Sequence, residues 1–94
     1  MENAKEVKVY VSVAAVFDET GRLIPRALAW EDGRRYVIDK VLDCKPAAAM
    51  RAGGCGDRYH VRINGQERYL FFERSAEVSG NRVGRWFVER PAEG

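Results

Sequence analysis

Cysteine and histidine are scarce in this chain. Its 94 residues include two cysteines, Cys44 and Cys55, and one histidine, His60. A secreted domain held by disulfides usually carries roughly four to eight cysteines, and a structural zinc site needs about four ligands at characteristic spacings. The sequence therefore predicts no disulfide framework and no metal site. We expect both thiols to be reduced in the cytoplasm, and a redox pair across residues 45–54 is the alternative.

Long apolar runs are also absent. No stretch approaches the ~20 apolar residues of a membrane span, and residues 1–6 are polar, so we expect no secretory signal and no membrane partner. The net charge of +2 is too small to indicate nucleic acid by itself, and the 46% hydrophobic content is ordinary for a folded domain. The length indicates one small domain over residues 1–94.

Motifs of common enzyme classes are lacking as well. His60 has no serine or cysteine partner at a spacing typical of nucleophilic catalysis. Residues 53–56 are rich in glycine, but the lysine and hydroxyl residue that end a phosphate-binding P-loop are missing. These glycines suit a loop with positive φ, and an anion-binding nest helped by Arg51 and Arg58 is the second interpretation. We therefore predict a protein that is not an enzyme, with no catalytic residues and no cofactor.

The chain instead contains a series of alternating segments bounded by turns. In chain order these segments are 6–17, 22–30, 34–44, 57–63, 66–73 and 82–90. Alternation of β-branched and polar residues is typical of β-strands, and Asn64-Gly65 is the strongest hairpin signal between them. Pro25 lacks an N–H donor and indicates an edge or a bulge. Neither face of 34–44 is cleanly apolar, which predicts a bend near Asp39-Lys40.

The remaining segments predict little helix. Residues 46–52 can form one or two helical turns because Pro46 suits a first helical position, while 75–81 are predicted to form a polar loop. No helix is long enough to cover a sheet, so the sheet must roll up to bury one face. We therefore expect an all-β fold, a small rolled antiparallel sheet or SH3-like barrel of five to six strands with at most one short helix.

The Asn64-Gly65 turn determines the register of its hairpin, because a two-residue loop pairs Ile63 with Gln66. One face then points to the core, with Arg68 near its rim. The opposite face carries Arg58, His60, Arg62, Tyr69 and Phe71. Aromatic rings interleaved with cations are typical of surfaces on which bases of single-stranded nucleic acid stack while cations contact phosphates. The alternative is that another part of the barrel covers the two rings.

The charge distribution favours the same interpretation. Residues 34–94 contain twelve Lys and Arg against eight Asp and Glu, whereas residues 1–32 contain four against six. Twelve of the sixteen basic residues are arginine, which suits contacts with phosphates and bases. The sequence therefore predicts a small non-catalytic module that weakly binds single-stranded RNA or DNA through the five residues just named.

The first strand indicates a second kind of partner. Valines alternate along it, and Lys8 is the one charge within the apolar run. A long apolar strand at a sheet edge invites pairing with another chain. The alternative function is therefore a homo-oligomeric or protein–protein interaction domain that pairs strands through residues 6–16.

Short motifs across residues 22–90 carry a resemblance to a known family. They are Pro25-Arg26, Trp30, Gly33-Arg34-Arg35-Tyr36, Val41-Leu42-Asp43 and Gly84-Arg85-Trp86-Phe87-Val88. In these motifs the chain resembles small bacterial domains of unknown function, some of them encoded beside translesion DNA polymerase genes. The insert at 46–56 and the longer first strand depart from that pattern. The resemblance implies a bacterial, cytoplasmic, non-enzymatic protein near DNA transactions and assigns no functional residue.

Overall fold

Seven β-strands make up the described part of the chain. The computed structural model describes residues 6–47, 56–80 and 82–91, without the side chains of 76–79. The strands are β1 (Glu6–Phe17), β2 (Leu23–Ala29), β3 (Arg35–Val37), β4 (Lys40–Ala47), β5 (Gly56–Ile63), β6 (Gln66–Ser79) and β7 (Arg82–Pro91). They form one antiparallel sheet in the order β3-β2-β1-β7-β6-β5-β4. The predicted all-β fold with a rolled antiparallel sheet is confirmed.

A two-residue connection makes the sheet curl. β3 and β4 lie at opposite edges of the sheet, yet only Ile38 and Asp39 separate them in the chain. The Ile38 N–H donates to the Arg26 carbonyl of β2, and the Asp39 N–H donates to the Arg62 carbonyl of β5. The two edges therefore meet at this connection, and the sheet forms a half-barrel. This break is the bend predicted near Asp39-Lys40, and it turns the expected third strand into two.

β1 lies between β2 and β7 in the strand order, and its two halves have different partners. Residues 6–11 pair with β7, and residues 12–17 pair with β2. The register with β2 shifts between Ala14 and Ala15, opposite Pro25, where the sequence predicted an edge or a bulge. Among the described residues each half of β1 therefore has a sheet partner on one side only, so the predicted edge or oligomer contact at residues 6–16 stays a prediction.

Two local predictions need correction. Pro46 and Ala47 belong to β4, opposite Asp57 and Gly56, so the helix predicted to begin at Pro46 does not begin there. β4 is an edge strand, where a proline without an N–H is tolerated. The rest of that predicted helix lies outside the described residues. The polar loop predicted over 75–81 is largely strand, because β6 runs to Ser79, which pairs with Arg82 of β7 beyond a register shift that follows Arg74.

The concave face of the half-barrel holds the main core. The buried residues there are Leu28, Ile38, Tyr59, Val61, Leu70, Phe72 and Trp86. The Trp86 ring lies 5.2 Å from the Tyr59 ring and 4.9 Å from the Phe72 ring, centroid to centroid. The Tyr59 hydroxyl donates to the Leu23 carbonyl at 2.6 Å, and burial raises the pKa of this phenol. The core-facing side predicted for the Asn64-Gly65 hairpin is therefore confirmed.

Gly56→Ala tests how closely β5 and β6 pack. Gly56 is buried opposite Glu73, and a β-carbon there would overlap the Phe72 carbonyl oxygen. The backbone cannot yield without breaking the ladder, so we expect the free energy of unfolding to fall by about 1–3 kcal/mol or more. Urea denaturation measures this. The matched control is Ser12→Ala on the exposed side of β1, which should change stability little, and an equally stable Gly56→Ala protein would contradict the packing.

Candidate nucleic-acid interface

The Asn64-Gly65 turn aligns β5 with β6 as the sequence predicted. Both turn residues have positive φ, 52° at Asn64 and 76° at Gly65, and Ile63 pairs with Gln66. We call the side of the sheet that points away from the main core the outer face. The residues predicted for nucleic-acid binding all lie on this face: Arg58, His60, Arg62, Tyr69 and Phe71.

Tyr69 is the exposed ring of this group. Its relative exposure is 49%. The Arg58 guanidinium lies 4.7 Å from the centre of the Tyr69 ring, and the His60 ring lies 5.0 Å away, tilted by 34°. The Tyr69 ring therefore contacts a cation and an imidazole, and Tyr69 keeps about half of its possible exposure to solvent.

Phe71 is buried, which corrects the prediction that it forms part of an open platform. Its relative exposure is 7%. It stacks on Phe87 with ring centroids 5.1 Å apart and planes within 8° of parallel, and Ala47 packs against the pair. The reason is that β7 pairs with β6 so that Phe71 and Phe87 are direct cross-strand neighbours. Phe71 is therefore not accessible for base stacking.

Like charges face each other across β4 and β5. Lys40 lies opposite Arg62, and Lys45 lies opposite Arg58. Cations directly opposite each other in a sheet repel, so such pairs cost stability unless an anion lies between them. We call Lys40, Lys45, Arg58 and Arg62 the basic stripe. The prediction from sequence missed its two lysines, because a register shift between Val41 and Asp43 breaks the alternation that would have revealed them.

Two carboxylates neutralise the basic stripe in part. Asp43 lies 3.6 Å from the Lys45 ammonium, and Glu67 lies 3.9 Å from the Arg62 guanidinium. Glu67 also contacts His60 Nε2 at 2.9 Å. Within the described residues Lys40 and Arg58 have no carboxylate at ion-pair distance. The stripe therefore keeps an excess of positive charge beside the half-exposed ring of Tyr69.

A closed polar and aromatic cluster borders the stripe on the β7 side. Glu73 accepts hydrogen bonds from Lys8 Nζ at 2.8 Å and from the Tyr10 hydroxyl at 2.7 Å. The Arg85 guanidinium lies 3.4 Å from the centre of the Tyr10 ring, and Lys8 covers the fully buried Phe87. These cations already have partners, so the free positive charge lies on β4 and β5 rather than here.

Other classes of site are not evident in the described segments. Across those segments no three His, Cys, Asp or Glu side chains converge as metal ligands would, and no helix is long and apolar enough to cross a membrane. Cys44 is a free thiol whose pKa is raised by burial, while Cys55 lies outside the described residues. No protein family, curated protein or solved structure matches this chain.

Glu73→Gln tests the cluster that borders the stripe. Hydrogen bonds from Lys8 and Tyr10 lower the pKa of Glu73, so its contribution to stability is complete above the unfolded pKa of about 4.3 and is lost as the pH falls through the lower folded value. We expect Glu73→Gln to reduce the free energy of unfolding at neutral pH by about 1–3 kcal/mol.

The difference in free energy of unfolding between wild type and Glu73→Gln should become smaller as the solution is acidified below the pKa of a free glutamate. Urea denaturation at several pH values measures this. Glu19→Gln, in the exposed turn after β1, is the matched control and should leave stability almost unchanged. A deficit in Glu73→Gln that is the same at every pH would contradict the ionic role of Glu73.

Proposed function

We propose that this protein is a small non-catalytic module that binds single-stranded nucleic acid through the basic stripe and Tyr69. The observation that carries the proposal is that cations lie opposite each other in the sheet, Lys40 opposite Arg62 and Lys45 opposite Arg58, beside a half-exposed tyrosine. Opposed cations are unfavourable in the free protein, and a polyanion laid along them removes the repulsion. Nucleic acid combines such a polyanionic backbone with bases that can stack on the Tyr69 ring.

The geometry suits an extended strand that follows β5. Arg58 and Arg62 are four residues apart on one strand, so their backbone positions are separated by about 13–14 Å. They and the two facing lysines can contact separate phosphates, while a base stacks on the open part of Tyr69. Because Phe71 is buried, one base stacks instead of two, and we therefore expect weak binding.

Other features of the chain are compatible with this role. A module with two cysteines, one of them the free thiol of Cys44, suits a reducing compartment such as the cytoplasm. Pairing with another chain through residues 6–16 is the second candidate function, because among the described residues each half of β1 has a sheet partner on one side only. The nucleic-acid proposal itself rests on the outer face of β4, β5 and β6.

Replacing Tyr69 by alanine tests the stacking contact. Each base stacked on an aromatic ring contributes about 1–3 kcal/mol, so Tyr69→Ala should weaken binding of labelled oligothymidylate about tenfold or more. Fluorescence anisotropy measures this, and Tyr69→Phe should retain most of the affinity. Phe17→Ala removes another exposed ring, at the end of β1, and should have no effect. Equal affinity of Tyr69→Ala and wild type would rule out the stacking contact.

Replacing Arg62 by alanine tests the phosphate contact. The affinity for oligothymidylate should fall steeply as salt increases. The slope of the logarithm of the binding constant against the logarithm of salt concentration should be smaller in magnitude by about 0.7 in Arg62→Ala, because one phosphate contact on a single strand is lost. Arg26→Ala, an exposed arginine on β2, is the matched control and should leave the slope unchanged. Affinity that does not depend on salt, or stronger binding of duplex than of single strands, would refute the proposed function.

A further inference from the structure

The sheet splits where β6 and β7 separate. Their pairing begins at Phe71 with Phe87 and continues toward the β6–β7 turn. On the other side of that pair, residues 66–70 of β6 are in register with β5, and residues 88–91 of β7 are in register with β1. Within the described chain no pairs join β6 to β7 across this split.

A cavity of about 1040 Å³ occupies the split. All six residues from 66 to 71 line it, as do residues 88–90 on the opposite side. Consecutive residues of one strand point to alternate faces, so a cavity that contacts all of them runs along the open edge of the strand. The cavity therefore connects the outer face with the concave interior of the half-barrel.

The part of the cavity on the concave side is apolar. Its lining there includes two aromatic residues, one from β3 and one from the turn before it, together with aliphatic side chains that belong to the main core or pack against it. These residues are Leu28, Trp30, Tyr36, Val61, Ile63 and Val88. Such a surface suits a hydrocarbon or aromatic group of a ligand.

Two arginines lie on this same concave side. Arg68 is directly opposite Val61, which is fully buried, and it donates to the Gln66 side-chain oxygen at 2.6 Å. Among the described residues no carboxylate lies within ion-pair distance of Arg68. Arg90 makes an exposed contact of 3.4 Å with Glu31, a kind of pair that contributes little. The apolar cavity therefore has at its mouth a cation, Arg68, for which the described residues provide no counter-ion.

The acidic residues that line the cavity lie on the other side of the sheet. By strand alternation Glu6, Glu67 and Glu89 belong to the outer face. Glu67 is already engaged by His60 and Arg62. The charge near the cavity is thus divided, with guanidinium groups on the concave side and carboxylates on the outer side.

We propose that this cavity binds a small amphipathic carboxylate. The apolar part of the ligand packs between Trp30 and Ile63, and its carboxylate receives paired N–H bonds from the Arg68 guanidinium, with Arg90 as a second donor. A planar guanidinium matches a carboxylate in this way, and the cavity volume is of the size that small-molecule sites have. The proposal is independent of nucleic-acid binding, because neither Arg68 nor Arg90 belongs to the basic stripe.

Decanoate is the probe for this site, followed by tryptophan fluorescence and by calorimetry. Trp30 lines the cavity whereas Trp86 is in the buried core, so binding should change the emission of Trp30. Decylamine has the same tail with the opposite charge and is the matched ligand control. We expect saturable binding of decanoate below its micelle concentration and no comparable binding of decylamine. Equal binding of the two, or no saturable binding, would overturn the proposal.

Variants locate the carboxylate contact. Arg68→Gln should weaken decanoate binding about tenfold, as loss of a charge-assisted pair requires, and Arg90→Gln should weaken it less. Arg26→Gln on β2 and Arg62→Ala in the basic stripe should bind decanoate like wild type. We expect Arg62→Ala to alter only nucleic-acid binding and Arg68→Gln to alter only decanoate binding. The nucleic-acid proposal and the carboxylate proposal can therefore fail independently of each other. Unchanged affinity in Arg68→Gln would exclude the carboxylate site.

Discussion

The two-residue connection at Ile38 and Asp39 is the constraint on which the rest of the structure depends. It joins the two edge strands of the sheet, and its N–H groups bond β2 on one side and β5 on the other. A sheet whose edges are held this close must curl, and curling lets a chain of this size bury one face without a covering helix layer. The concave core, the position of β1 between β2 and β7, and the split between β6 and β7 are all features of that curled sheet.

Curling also divides the outer face into two parts with different roles. Near β7 and β1 the polar side chains pair with one another, since Glu73 accepts hydrogen bonds from Lys8 and Tyr10. Phe87 is fully buried there, although its strand position points outward. Across β4 and β5 the outward side chains are mainly cations that face one another. The first part behaves as a small second core, and the second part retains the unbalanced charge from which a binding function can be argued.

The proposed nucleic-acid surface and the proposed carboxylate cavity share a border but use different charges. Tyr69 and Arg58 lie at this border: both line the cavity, Arg58 belongs to the basic stripe, and Tyr69 contacts it. The stripe offers lysines and arginines on a convex surface, which suits a long polyanion. The cavity offers an arginine above apolar walls, which suits a single anionic group with a tail. The shape of each surface, more than its net charge, determines which of the two ligands it suits.

The sequence by itself determined the strands, most of the turns and the register of β5 with β6, because period-two alternation and the Asn64-Gly65 turn are local properties of the chain. The sequence also predicted correctly that five residues share the outer face of the sheet, namely Arg58, His60, Arg62, Tyr69 and Phe71. Only the tertiary structure decided that Phe71 is buried, that Lys40 and Lys45 face arginines, and that β1 pairs with β7 in one half and with β2 in the other. Alternation along a strand tells which way a side chain points, but its neighbours across the sheet come from strands distant in the chain. Those neighbours follow from how the sheet curls and from the register shift in β4, and neither is encoded in the strand that carries the residue.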